Sequence, residues 1–256
     1  MMAVANLLAI VNALGIPSGA RVDSRIPKKL LIEQGAPTAA DKRAIQDGID
    51  ELQWFAACKP TTIGIPSFSD DIREYLEIAI IGCAFRAGAK TSRLIELIHR
   101  AIPYPVLLIT SDESELSISA AHKRHAQKEA GRTVIEQVIA ANGLRADAVD
   151  SVQVMFLKSL ALAQQPRANL FTLYTGWTAR IEAINAARLT GKFTATDDQE
   201  IVDRRRAALD AHTRLIKEIE ILRAKAKREK QISRRVELNL QIQRRETTLA
   251  AYANQL

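Results

Sequence analysis

The alternation of apolar and polar positions predicts a mixed chain. MMAVANLLAIVNALG is an apolar run broken by Asn6 and Asn12 and closed by Gly15, the pattern of a short packed helix. GIPSGARVDSRIPKK is punctuated by Gly and Pro and predicts extended loop or an edge strand. Thr38, with Asp41 three residues on, has the form of a helix N-cap. Ile45, Ile49, Leu52 and Phe55 continue that helix at helical spacing, and Lys59-Pro60 ends it. TTIGIP and REYLEIAIIGCAF predict strands, SRLIELIHRAI a helix, and PVLLIT and ELSISAA two further strands. From about residue 133 the pattern turns helical, with VDSVQVMFLKSLALAQQ and LFTLYTGWTARIEAINAARL divided by Pro166 and closed by Gly191.

Two strand pairs separated by one helix predict an α+β fold, a small mixed or antiparallel sheet with helices on one side. The expected organisation is an α+β domain over 1–132, a helical region packing on it over 133–197, and a long coiled-coil-like helix or helical hairpin over 198–256. From Asp198 to Leu256 there is no Gly and no Pro. As one helix that segment would reach about 85 Å, too long to lie on its own core.

Within it, Ile201, Ala208, Leu215, Ile219, Leu222 and Ala226 follow the three-and-four spacing of a coiled-coil seam, and Val236 and Leu240 resume the frame. A second stripe, Leu238, Ile242, Leu249 and Tyr252, lies on a neighbouring face. Between them KREKQISRR interrupts the seam, as a turn between antiparallel helices or as a polar layer. The absence of Gly, Pro, Asn or Asp before Asn239 favours the polar layer.

Composition narrows the classes. The formal charge of +7 fits an acidic partner such as nucleic acid, or simply a solubilised surface, and 5% aromatics argue against stacking platforms for single-stranded bases. Cys58 and Cys83, without CxxC spacing, fit a reducing cytoplasm, and no run is long enough to span a bilayer.

Candidate chemistry thins on inspection. GCAFRAGAKTS sits where a phosphate-cradling loop would, but Ala89 intervenes where a glycine must precede the lysine, so Gly88 reads as the glycine of a strand-to-helix turn. His122 and His125 could share a helix face, yet no third ligand is near and Lys123 and Arg124 would repel a metal. Glu77 is followed by Ile78 and Ala79, not by the x-Lys of a metal-dependent nuclease. No metal, cofactor or catalytic set is therefore expected. Lys28, Lys29, Arg73, Arg100, Lys123 and Arg124 fall at ends of predicted elements and form the candidate anion or nucleic-acid contacts. Arg73 and Arg100 have a structural alternative, pairing with Glu74, Glu77 or Glu96.

The segments IPKK, REYLEI, RAIPYPVLLI, HKR and EKQISRRVELN resemble an uncharacterised bacterial family, domain of unknown function DUF4391, over most of the chain; the family pattern carries Phe where this chain has Ile232. The resemblance brings no catalytic residues. It implies a subunit accompanying helicase or DNA-methyltransferase components of restriction or phage-defence clusters, and it makes Lys230, Gln231, Arg234, Arg235, Glu237 and Asn239 the candidate partner-docking residues. The leading expectation is a non-catalytic accessory subunit that docks through its C-terminal helix, on a protein partner or on itself. The alternatives are a stand-alone sequence-independent nucleic-acid-binding module, or an enzyme with an unfamiliar site near Arg73 and Glu77.

Overall fold

The computed structural model describes residues 2–112, 115–126, 133–146 and 150–253. The elements run α1 (Met2–Ala13), β1 (Arg21–Arg25), α2 (Lys28–Gly35), α3 (Ala39–Gly48), β2 (Ile49–Cys58), α4 (Pro60–Ile63), β3 (Phe68–Ser69), β4 (Glu74–Tyr75), β5 (Ile78–Phe85) and α5 (Thr91–Ala101). They continue with β6 (Val106–Asp112), β7 (Glu115–His125), β8 (Thr133–Leu144), α6 (Ser151–Ser159), α7 (Leu170–Thr190), α8 (Gln199–Arg228) and α9 (Ile232–Ala253). Contacts divide the chain into two units, residues 1–181 and 182–256, with the division inside α7. The boundary expected at 132 falls among residues 127–132, outside the described residues.

The first unit is built on a six-stranded sheet of order β1-β2-β5-β6-β7-β8. Only β5 and β6 run parallel, joined by α5, so the fold is α+β with a mostly antiparallel sheet. Every residue of β5, IAIIGCAF, is buried, as a central strand covered on both faces requires. On one face Ala79, Ile81, Cys83 and Phe85 meet Leu31 of α2, Ile45 of α3 and Leu94, Leu97 and Ile98 of α5. α1 also packs against β5 and β6 but contributes nothing to that cluster, so helical cover is not confined to one face.

Thr38 caps α3 as its spacing predicts, accepting the Asp41 N–H at 3.1 Å. Asp41 is buried and takes two hydrogen bonds from Arg93 of α5, at 2.8 and 3.0 Å, tying the helices together. Those bonds, then that of Thr38, hold its carboxyl down at about 2.

Three elements differ from the sequence expectation. Ile49, Leu52 and Phe55 lie in β2, not in a helix, because residues 49–58 pair with β5 on one side and β1 on the other. TTIGIP begins in α4 rather than a strand, with Pro60 at its first turn. Residues 133–144 are not helical: they form the last strand, β8, paired antiparallel along β7.

Gly82 stands where β5 passes Phe55. A Cβ there would lie 2.2 Å from the ring of that fully buried side chain, in the middle of the sheet. Gly82→Ala is expected to destabilise the fold by roughly 2–3 kcal/mol, the cost of overpacking, read as a lower urea midpoint at unchanged slope.

The second unit contains a helical hairpin. Asp198 caps α8 by accepting the Glu200 and Ile201 N–H groups. Residues 229–231 then connect α8 to α9, and Ile219, Leu222 and Ala226 pack with Ile242, flanked by Leu238 and Leu249. Arg223–Glu246 at 2.7 Å and Arg245–Glu218 at 2.8 Å bridge the helices. The segment is thus two helices, and the expected polar layer is corrected to a turn. Glu229 leaves α8 in the extended region, φ −74° and ψ 125°, its carboxylate accepts the Gln231 N–H at 2.8 Å, and the Gln231 carbonyl accepts the Arg235 N–H at 3.0 Å. No residue in this turn needs a positive φ, which is why no Gly or Asn marks it.

Candidate docking surface

The predicted anion-binding residues do not converge. Lys29 is exposed beside Glu33 at 3.6 Å. Lys28 turns inward to donate to the Gln46 and Ile49 carbonyls, and burial followed by the neighbouring Arg86 charge lowers its pKa. It serves the C-terminus of α3. Arg100 pairs with Glu96 at 3.3 Å, as the structural alternative expects. Arg73 pairs instead with Glu136 of β8 at 2.7 Å and lies over the Phe171 ring, 5.5 Å from its centroid. Glu77 is buried, with one carboxylate oxygen 3.0 Å from Lys59 Nζ and the other without a partner. Arg124, half-buried on β7, has no ion pair among the described residues.

Lys123 is the clearest correction. It is 2% exposed, and its ammonium donates to the carbonyls of His99, at 2.7 Å, and Ile102 at the end of α5. It closes a helix terminus and reaches no phosphate. Burial pushes its pKa down to about 7. Next to it His99 is fully buried, its Nε2 is 3.0 Å from Ser119 Oγ, and burial, then the Lys123 charge, pulls its pKa down to about 3. Lys123 was not legible as interior, because the strand pattern of ELSISAA continues through HKRH on polar residues.

The other tempting motifs have structural roles. Gly82 to Phe85 belong to β5, so only 86–90 link it to α5, with Gly88 at φ +74° as the turn glycine. In that link the Ala89 and Thr91 N–H groups are spent on the Arg86 and Ala89 carbonyls, leaving little to cradle a phosphate. His122 and His125 lie on strand β7 rather than on a helix, and His122 Nδ1 is 2.6 Å from the Tyr75 hydroxyl. Among the described residues no group of three His, Cys, Asp or Glu is placed to hold a metal, and no helix is long and apolar enough to cross a membrane. Both cysteines are buried and unpaired, and burial raises the Cys58 thiol to about 12.

The hairpin tip is different. Lys230 and Gln231 form the connection, and Arg234, Arg235, Glu237 and Asn239 follow on the first turns of α9, all exposed. Among them stand Ile232, Val236 and Leu240, exposed at 69%, 52% and 51%. At four-residue spacing the three share one face, while Leu238, Ile242 and Leu249 take the face that meets α8. The hairpin therefore satisfies the second stripe and leaves the resumed seam frame in solvent. Val236 and Leu240 were readable as that frame, whereas Ile232 was hidden in the charged gap.

The family described as Domain of unknown function (DUF4391) matches residues 14–249. The chain belongs to the DUF4391 family. That match takes in the sheet and the hairpin through Leu249, including the exposed stripe. No curated protein and no solved structure matches the chain.

Proposed function

We propose that the protein is a non-catalytic accessory subunit that docks on a protein partner through the tip of its C-terminal hairpin. The observation that carries this is the stripe Ile232, Val236 and Leu240, three aliphatic side chains facing water on a helix whose other apolar face is already packed. The resemblance noted above supplies the context of the proposal: a DNA-targeting restriction or anti-phage assembly, with a helicase or DNA-methyltransferase subunit as the partner. The backbone carbonyls held by Lys28 and Lys123 and the ion pairs of Arg73 and Arg100 support structural duties for these four basic residues.

Purified protein is expected to turn over neither nucleic acid nor nucleotide, and Glu77→Gln to leave that result unchanged while affecting only stability. Turnover that disappears in Glu77→Gln, with the fold intact by circular dichroism, would overturn the proposal.

A second reading, sequence-independent nucleic-acid binding, draws on the basic hairpin tip. It requires duplex binding that weakens steeply with salt and with Lys230→Glu and Arg235→Glu.

A further inference from the structure

We propose that the surface covering Ile232, Val236 and Leu240 is an acidic amphipathic helix of the partner protein, an inference that rests on the docking reading above. Residues 225–237 carry Lys225, Lys227, Arg228, Lys230, Arg234 and Arg235 against Glu229 and Glu237. None of the six cations has an ion pair among the described residues; farther along the hairpin Arg223 and Arg245 are paired while Arg214, Lys217 and Arg244 are not, so what sets the tip apart is its excess of six cations over two carboxylates. Unneutralised charge is thus concentrated at the end that also leaves aliphatic surface bare.

The two features together select the occupant. From Ile232 to Leu240 the stripe rises about 12 Å, a little over two helical turns, and is one residue wide. A facing helix with apolar residues at three-and-four spacing covers such a stripe, and carboxylates on its flanks meet the cations on either side. A second copy of this chain would bring two clusters of the same sign together, a costly arrangement across an interface. A nucleic-acid backbone would neutralise the cations but give no return for covering three aliphatic side chains.

The test places a photo-crosslinking amino acid at Val236 in the full-length chain, expressed in its native cells, with the same probe at exposed Glu220 of α8 as reference. Captured peptides are identified by mass spectrometry. The expected product at Val236 is a segment of another protein with apolar residues at helical spacing and more Asp and Glu than Lys and Arg. Lys230→Glu with Arg235→Glu is expected to reduce its yield at least tenfold at an unchanged unfolding midpoint.

Capture of a partner segment without acidic excess would overturn this inference and leave the docking reading standing. Capture of this chain's own α9 from a second copy, or of nucleic acid, would overturn the inference and replace the partner. A yield no higher than at Glu220 would remove both.

Discussion

Lys123→Ala is expected to lower the unfolding free energy by about 3–5 kcal/mol, because it opens a cavity and leaves the His99 and Ile102 carbonyls at the end of α5 without their donor. Lys123→Met should cost less than Lys123→Ala, since neither buries an ammonium but methionine fills the space that alanine leaves empty. The pH profile separates the two contributions. The side chain titrates near its ordinary 10.5 when unfolded and at about 7 when folded, so above pH 7 the unfolded chain holds more protons and stability rises with pH. Between pH 7, where the folded side chain is half protonated, and pH 9 the rise is about 2 kcal/mol, and it should be absent in Lys123→Met.

Neighbouring groups bound that window. Buried His99 stays neutral in the fold down to about 3, so it destabilises the protein only as pH falls below its ordinary 6.5. Cys58 and Cys83, both raised by burial, hold their protons in the fold after the unfolded thiols have lost theirs; one cancels the rise from Lys123 above pH 9 and the two together turn the profile downward. Equilibrium urea unfolding from pH 6 to 9 on wild type and Lys123→Met measures the Lys123 contribution with little from either.

The same residue shows where sequence reading stops. A lysine beside Arg124 and between two histidines has every local mark of a surface cation, and only pairing across β7, β8 and α5 places it inside. Long-range pairing also overrode the helical spacing of Ile45, Ile49, Leu52 and Phe55. The first of these sits in α3 and the rest in β2, where two strand partners decide the matter. Elements with their own local signals were legible: the Thr38 cap, the amphipathic α5, the apolar β5 and β6, and the Pro166 and Gly191 limits around α7. The hairpin turn was open as one of two readings but not the favoured one, because an extended Glu229 and a side-chain bond to Gln231 leave no Gly or Pro to read.

If the proposed docking holds, Val236→Asp is expected to weaken attachment to the partner at least a hundredfold, about 2.7 kcal/mol, because a carboxylate would be desolvated where the proposed partner covers an aliphatic side chain. Acidic partner flanks would add repulsion. Stability should change by no more than about 0.5 kcal/mol, since the position is half exposed and free of the α8 contact. Leu238→Asp makes the contrast: it faces α8 and should open the hairpin itself, lowering helicity as well as attachment. A pair of variants two residues apart, one losing only the partner and the other losing the hairpin, distinguishes a docking stripe from general weakening of α9.

The most direct measurement is native mass spectrometry of the particle isolated from its own cells, as wild type and as Val236→Asp. The account predicts a wild-type particle heavier than the 28.3 kDa chain by the mass of a different protein, and a Val236→Asp particle at the mass of the chain alone. A wild-type particle of 28.3 kDa, or a complex whose mass is the same with aspartate at 236, would contradict it.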